Sequence, residues 1–421
     1  ANDSEDRYLT KNNPAATGNA TFAGNITGAQ SVIVTGSQTG IESSISNGTI
    51  STTIKDGNTQ RLYKGIKGST TIFEVDYNGS ITGAADAEIN GVDIGRGAGN
   101  LANNTAVGAN TLANNTSGDK NVASGRDVLK FNTTGSNNTG TGYEALKTNT
   151  TGSYNTASGE QALKSNTTAS FNTAVGSAAL YSNTTGGFND AFGRNCLYSN
   201  TTGAQNSAYG AAALYANTTG NYNVAIGGNA LGTNSTGAYN TATGLDSLTS
   251  NTTGAQNTAT GYQALYNNTT ANNNTAYGQK ALYSNTTGPD NTATGRESLY
   301  SNTTGQNNTA NGFFALRSNS TGSANIAFGR DSLKLNTTGV NNSALGTSAL
   351  YSSTTGHENV AVGTQALYTN STASGNTATG YQAMYFNTTG ADNTATGKNA
   401  LRANTTGYNN VATGHEALYS N

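Results

Sequence analysis

The sequence predicts an all-β fold, a parallel β-solenoid or β-roll of about 19 coils with 17 residues in each coil. Asn recurs every 17 residues from Asn104 to Asn410, and Gly follows four residues later in all 19 copies, from Gly108 to Gly414. No insertion or deletion interrupts the repeat. A period of 17 is too short for a helical hairpin repeat and is close to one coil of a β-solenoid.

The composition favours the same fold class. Hydrophobic residues make up 33% of the chain and charged residues 10%, against about 45–50% and about 25% in ordinary globular proteins. Disordered chains are also poor in apolar residues, but they are usually charged and rich in proline. This chain has 54 Gly and only two Pro, which favours a fibrous fold.

Charge and hydropathy argue against two classes of partner. The formal net charge of −2 leaves no basic surface for a nucleic acid, whose binding depends on Lys and Arg at the phosphates. No run of about 18 apolar residues occurs, so we expect no insertion into a membrane. Nothing in the sequence calls for a cofactor.

Three regions follow from the spacing. Residues 1–88 form a β-rich N-terminal shaft or attachment region, in which SVIVTG, TISTTI and STTIFEVDYNGSITG are separated by Gly, Asn and Ser without a 17-residue step. Residues 89–103 form a junction, and residues 104–421 form the solenoid.

Each coil has the consensus N-T-A-x-G-x-x-A-L-Y-x-N-T-T-G-x-x. The N-x-A-x-G part predicts a strand with Asn, Ala and Gly on one face, and stacked Asn side chains can form an amide ladder. The G-x-x-A-L-Y-x-N part fits either a second strand or a helical turn. N-T-T-G predicts a turn in which Asn adopts the left-handed region. The structural columns are represented in the first and tenth coils by Asn104, Ala106, Gly108, Leu112, Asn257, Ala259, Gly261 and Leu265.

The predicted core is thin. Burying a Leu stabilises by about 1.5–3 kcal/mol, whereas ordering 17 residues costs on the order of 17–34 kcal/mol. At about 4.8 Å per coil the rod is roughly 90 Å long. We therefore expect a homotrimer or another oligomer in which Leu or Tyr columns of several chains meet along a shared axis.

The residue after Leu is the main candidate for surface contact. Exposed Tyr at coil spacing is suited to stacking on the sugars of a host glycan, and the alternative is that the rings pack against a neighbouring chain or the turn. The nine residues are Tyr181, Tyr198, Tyr215, Tyr266, Tyr283, Tyr300, Tyr351, Tyr368 and Tyr385.

Other candidate chemistry is weaker. The carboxylates two places after the conserved Gly are expected on a solvated face, although a depolymerase would need such a pair in a cleft. They are Asp127, Glu144, Asp246, Glu297, Asp331 and Glu416. The lone Cys196 is expected to be a buried small residue, and His357 and His415 occupy different columns without a second metal ligand. The N-T-T triplets match the glycosylation sequon, but turn chemistry explains them.

The run GVDIGRGAGNLANNTAVGANTL, followed by the N-T-A-x-G and A-L-Y-S-N-T-T-G repeats, resembles bacteriophage tail-fibre proteins. The N-x-A-x-G element is also similar to the heads of trimeric autotransporter adhesins, which have shorter coils. The resemblance implies a trimeric surface fibre, in a virion or at a cell surface, with host glycans or proteins and other virion tail proteins as partners. Fibres of this kind often end in a receptor-binding tip or a self-cleaving chaperone domain, and the sequence leaves open whether one follows Asn421.

Alternatives within and outside this class remain. A trimeric bacterial adhesin is the second candidate. An ice-binding solenoid would need a flat Thr array, but the outward place after Ala varies, as in Phe192 and Leu345. The sequence indicates no enzyme.

Overall fold

The computed structural model of the chain describes residues 61–67, 70–76, 81–83, 87–89 and 92–420. The chain separates into two compact units, Ala1–Ala85 and Asp86–Asn421. The segments SVIVTG and TISTTI of the predicted N-terminal region lie outside the described residues. All regular elements in the described part of the chain are strands.

The described part of the first unit is a three-stranded antiparallel sheet. Its strands are β1 (Arg61–Lys67), β2 (Thr70–Asp76) and β3 (Ile81–Gly83), in the order β1-β2-β3. The register of the β1–β2 pair shifts twice, between Arg61 and Tyr63 and between Gly65 and Ile66. Strands β2 and β3 lie within the β-rich STTIFEVDYNGSITG segment, and β1 precedes it.

An antiparallel pair covers the start of the solenoid. Strand β4 (Ala87–Ile89) pairs with β5 (Val92–Gly95), and β5 pairs antiparallel with the first coil. The N–H of Gly108 donates to the carbonyl of Asp93 at 2.7 Å. The edge of the first coil is therefore hydrogen-bonded by the segment that the sequence marks as a junction.

The second unit continues as a parallel stack of nineteen three-residue strands, each paired with the next at a register of 17 residues. The pairing confirms the predicted coil length and the parallel solenoid. The strands are β6 (Thr105–Val107), β7 (Val122–Ser124), β8 (Thr139–Thr141), β9 (Thr156–Ser158), β10 (Thr173–Val175), β11 (Asp190–Phe192), β12 (Ser207–Tyr209), β13 (Val224–Ile226), β14 (Thr241–Thr243), β15 (Thr258–Thr260), β16 (Thr275–Tyr277), β17 (Thr292–Thr294), β18 (Thr309–Asn311), β19 (Ile326–Phe328), β20 (Ser343–Leu345), β21 (Val360–Val362), β22 (Thr377–Thr379), β23 (Thr394–Thr396) and β24 (Val411–Thr413).

We number coil positions 1 to 17 from Asn104 and its equivalents. In the tenth coil Asn257 at position 1 and Ala259 at position 3 are fully buried, as predicted for the inward face. Gly261 at position 5 follows the strand instead of continuing it, at a φ of +128°. A Cβ there would lie 2.7 Å from the backbone of Gly278 one coil later. Both the φ and the close approach require glycine.

The segment from position 5 to position 12 is neither a second strand nor a helical turn. It is a succession of turns in which positions 7 and 9 are left-handed, as in Gln263 at φ +55° and Leu265 at φ +51°. Its N–H groups still bond to adjacent coils: Gln263 donates to Leu245 at 3.1 Å and Leu265 donates to Ala281 at 3.0 Å. Coil-to-coil hydrogen bonding therefore extends well beyond the strands.

The predicted amide ladder is present at position 1. The N–H of Asn138 donates to Oδ1 of Asn121 at 3.0 Å, and its side-chain Nδ2 donates to the same oxygen at 3.2 Å. Nδ2 also donates to the carbonyl of Gly152 at 2.9 Å. The backbone-to-Oδ1 bond recurs at successive coils up to Asn410.

A second amide ladder occupies position 12, inside the predicted N-T-T-G turn. Asn149 Nδ2 donates to Asn132 Oδ1 at 2.8 Å and to the carbonyl of Gly152 at 2.9 Å. Asn149 does not adopt a positive φ, so the predicted reason for asparagine was wrong. Gly152 accepts one amide from each ladder, which ties the turn to the strand. Because Asn149 is fully buried, the sequon nitrogen is inaccessible in the folded coil.

The Leu column lies inside a single chain. From Leu112 to Leu401 each Leu of this column, and Met384 in the same place, has no exposed surface. Of the two columns expected to meet along a shared axis, the Leu column is therefore excluded, and contact through the Tyr column stays a prediction. The interior of one coil already closes around Leu, two Ala and two Asn.

Candidate functional site

The nine predicted Tyr residues at position 10 form three stacks of three parallel rings. In the first stack Tyr181, Tyr198 and Tyr215 have ring centroids 5.0 and 5.2 Å apart and interplanar angles of 8° and 11°. The other two stacks, Tyr266–Tyr283–Tyr300 and Tyr351–Tyr368–Tyr385, have centroid separations of 5.0 to 5.3 Å. Within a stack the neighbouring ring faces cover each other, so a ring face is left uncovered by a neighbouring ring only at each end of the stack.

Cationic side chains cover several ends of these stacks. Lys164 Nζ lies 5.3 Å from the ring centroid of Tyr181, and Lys334 Nζ lies 5.4 Å from that of Tyr351. Arg317 and Arg402 lie 5.3 Å from Tyr300 and Tyr385. Ammonium and guanidinium groups at these distances stabilise an aromatic face. A glycan stacking on a free Tyr face would therefore have to use an uncovered end, such as Tyr215 or Tyr266; glycan contact remains a prediction.

Four of the six carboxylates at position 7 form ion pairs with cations at position 10. Glu144 is the most strongly held, with Lys147 Nζ at 2.6 Å, Lys164 Nζ at 2.8 Å and Gln161 Nε2 at 3.0 Å. The hydrogen bonds from Lys147 and Lys164 lower the pKa of Glu144 to about 2. The same pattern joins Asp127 to Lys130 at 3.0 Å, Glu297 to Arg317 at 2.9 Å and Asp331 to Lys334 at 2.9 Å.

Two members of the carboxylate set differ. The coil of Asp246 has Thr249 at position 10, and Asp246 accepts a hydrogen bond from Asn229 Nδ2 at 3.2 Å. Glu416 in the last coil lies 3.8 Å from His415 Nε2. Lys164, Arg317 and Lys334 therefore link the carboxylates of Glu144, Glu297 and Asp331 to the Tyr column.

The structure also shows an exposed aromatic column at position 17 that the sequence reasoning missed. Tyr154, Phe171 and Phe188 stack at centroid distances of 4.9 Å, and so do Tyr222 and Tyr239. Their exposed fractions run from 46% for Tyr222 to 61% for Phe188. The signal was present in the sequence, since these aromatic residues recur at the 17-residue step just before the conserved Asn.

Cys196 and His357, two of the remaining candidate residues, make contacts within the solenoid. Cys196 is fully buried, its Sγ lies 3.2 Å from the carbonyl of Ala208, and burial raises the pKa of its thiol to about 12. His357 Nδ1 accepts a hydrogen bond from the N–H of Val340 at 3.1 Å. Among the described residues there is no group of three or more His, Cys, Asp or Glu side chains that could hold a metal ion.

Within the described segments no helix is long and apolar enough to cross a membrane. Comparison with family models, with curated proteins and with solved structures gives no match to this chain.

Proposed function

We propose that the chain is a structural fibre, the shaft of a bacteriophage tail fibre that mediates attachment to a host surface. The observation that carries the proposal is the unbroken stack of nineteen strands, each bonded to the next at the same 17-residue register. In such a repeat array each coil contacts only its neighbours, so length grows with coil number while the cross-section stays constant. This geometry suits a spacer that holds two objects apart.

The proposed fibre is a homotrimer whose partners are other virion tail proteins at one end and a host glycan or protein at the other. Three chains present identical columns side by side. Weak contacts along such columns add up through multivalency without a catalytic step. The resemblance of residues 89–421 to tail-fibre repeats supports the viral assignment.

The alternative is a trimeric adhesin on a bacterial surface, which would use the same rod. Immunogold electron microscopy with an antibody against the repeat separates the two. Gold along fibres of virus particles is the expected result. Gold on bacterial envelopes would favour the adhesin, and labelling of soluble, non-filamentous material alone would contradict both.

A further inference from the structure

The aromatic column at position 17 occupies one stretch of the rod. We call it the aromatic stripe, and its members are Tyr154, Phe171, Phe188, Tyr222 and Tyr239. Every member is at least 46% exposed. Gln205 interrupts the stripe between its two stacks. A continuous patch of exposed apolar side chains is typical of an interaction surface.

The backbone conformation at position 17 is unfavourable for these aromatic residues. All five have φ between +57° and +62°, a left-handed conformation that Asn and Asp tolerate and that is unusual for bulky side chains. The chain itself supplies the comparison, because the same position holds Asn137, Asn273, Asn307 and Asn341 in other coils. The coil therefore does not need an aromatic residue here. The fold of the coil therefore leaves the aromatic residues at this position unexplained, which makes a role in contact with a partner the better account.

Ring orientation limits what can dock. Tyr154 and Phe171 are parallel within 3°, and Phe171 and Phe188 within 9°. Their faces are therefore turned to each other along the rod, and their edges point outward. A sugar ring stacks on an aromatic face, which is available only at the ends of each stack. A partner that contacts the stripe along its whole length must meet ring edges at the coil spacing.

A second copy of the chain meets this requirement. The side chains on its surface recur at the same coil spacing of about 4.8 Å. Side chains of two such surfaces can therefore interdigitate, as they do between the paired sheets of cross-β structures. The residues that precede the stripe members are small and uncharged, and among the residues within two places of a stripe member only Asp190 is charged, so repulsion between identical surfaces is confined to one coil. The preceding residues are Ser153, Ser170, Gly187, Asn221 and Ala238.

The area is also of the right order. Five aromatic side chains of about 200 Å² each, half exposed, offer roughly 500 Å² on each chain. A stable pairwise interface uses about 800 Å² on each partner. In a trimer each stripe is shared between two neighbours, so it forms the centre of the contact and residues beside it supply most of the area.

We propose that the aromatic stripe is the surface through which copies of this chain associate, parallel and in register. The proposal rests on the proposed function, since a fibre of cyclic symmetry sets equivalent coils of its chains side by side. It replaces the Leu column, which is enclosed within one chain, as the contact along the shared axis.

The test is the native mass of the full chain by light scattering coupled to gel filtration. The variant carries Y154N, F171N, F188N, Y222N and Y239N, and it introduces the residue that other coils already have at this position. Wild type is expected at three times the monomer mass and the variant at the monomer mass. The control carries Y262N, Y277N and Y381N, which remove aromatic residues of similar exposure outside the stripe, and it should keep the wild-type mass.

A monomeric wild type, or a variant that keeps the wild-type mass, would overturn the proposal. The proposal would also be overturned if the wild type were a monomer that binds host cells and the variant did not bind them. That result would assign the stripe to a host ligand. Electron microscopy of the monomeric variant distinguishes a failure of the stripe proposal from a failure of the fibre proposal. Straight rods of unchanged length leave the fibre proposal standing, whereas associated particles that are not rods would contradict the fibre and not the stripe.

Discussion

At the scale of single residues, the Leu column combines burial with an unusual backbone. Leu282 is fully buried and has a φ of +51°. A left-handed conformation costs an L-residue roughly 1–2 kcal/mol, which offsets much of the gain from burying the side chain. β-Branched residues are the least compatible with this region, and the column contains Leu and one Met but no Ile or Val.

Burial at a positive φ predicts that two substitutions of similar volume at Leu282 lower the stability by different amounts. Leu282→Met should cost less than about 1.5 kcal/mol, as volume-conserving swaps usually do. Leu282→Ile should cost about 2 kcal/mol or more, because it adds a β-branched side chain at positive φ. Hydrogen exchange of the neighbouring coils measures both. Equal protection in the two variants would contradict the assigned backbone conformation.

The ion pairs of Glu144 predict a local pH dependence. Its folded pKa of about 2 lies below the ordinary value of 4.5, so its stabilising contribution is present above pH 4.5 and is lost as pH falls toward 2. Exchange protection around Glu144, corrected for the intrinsic rate, should decline across this window.

Glu144→Gln should remove that decline, because a neutral side chain does not titrate there. Glu160→Gln, at an exposed position, is the matched control and should keep it. A Glu144→Gln protein with an unchanged pH dependence would assign the effect to other carboxylates.

At the scale of the element, the second amide ladder has one break. Ser353 takes the place of Asn, and both Ser353 Oγ and Asn336 Oδ1 are buried without a hydrogen-bond partner among the described residues. The ladder resumes at Asn370, which accepts from Asn387 Nδ2 at 2.9 Å. Leaving a buried polar group unpaired costs about 1–3 kcal/mol.

Ser353→Asn is therefore predicted to stabilise the coils around it by about 1–3 kcal/mol. The new amide can donate to Asn336 and accept from Asn370, and the site has the same surroundings that hold Asn in the other described coils. Slower exchange of amides between 336 and 370 is the expected readout. Ser352→Asn, one residue earlier and partly exposed, should leave exchange unchanged; similar effects of both variants would argue against the ladder.

The sequence predicted the elements that depend on strict repetition. The 17-residue period and the absence of insertions predicted the parallel stack, and the alternation at Asn257 and Ala259 predicted the inward face. The left-handed residues were not predictable, because a Leu or a Phe in the sequence does not indicate a positive φ. The second ladder was missed because Asn before Thr-Thr-Gly is also typical of a turn.

The candidate surface was predicted only in part. Tyr at position 10 was identified from its spacing, but self-stacking and the cationic ends at Lys164 and Arg317 depend on neighbouring columns that come together only in the folded coil. The aromatic stripe was missed because its five members occupy fewer than half of the coils, among Asn and Asp at the same position.

At the scale of the whole molecule, stability is distributed along the rod. Each coil buries a Leu and a few small residues, and adjacent coils share backbone bonds, two amide ladders and a Thr ladder, as in Thr150 Oγ1 donating to the carbonyl of Thr167 at 2.9 Å. Such an array follows nearest-neighbour energetics. Whole coils can therefore be removed without loss of the fold, whereas a deletion that is not a multiple of 17 shifts every column at the joint.

The measurement that tests this account most directly is the rod length of two proteins by electron microscopy, the full chain and a variant lacking residues 257–341. That deletion removes five complete repeats and joins position 17 to position 1. At about 4.8 Å per coil, the solenoid should shorten from roughly 90 Å to roughly 65 Å at constant width. A variant that unfolds, or whose length is unchanged, would contradict the solenoid spacer.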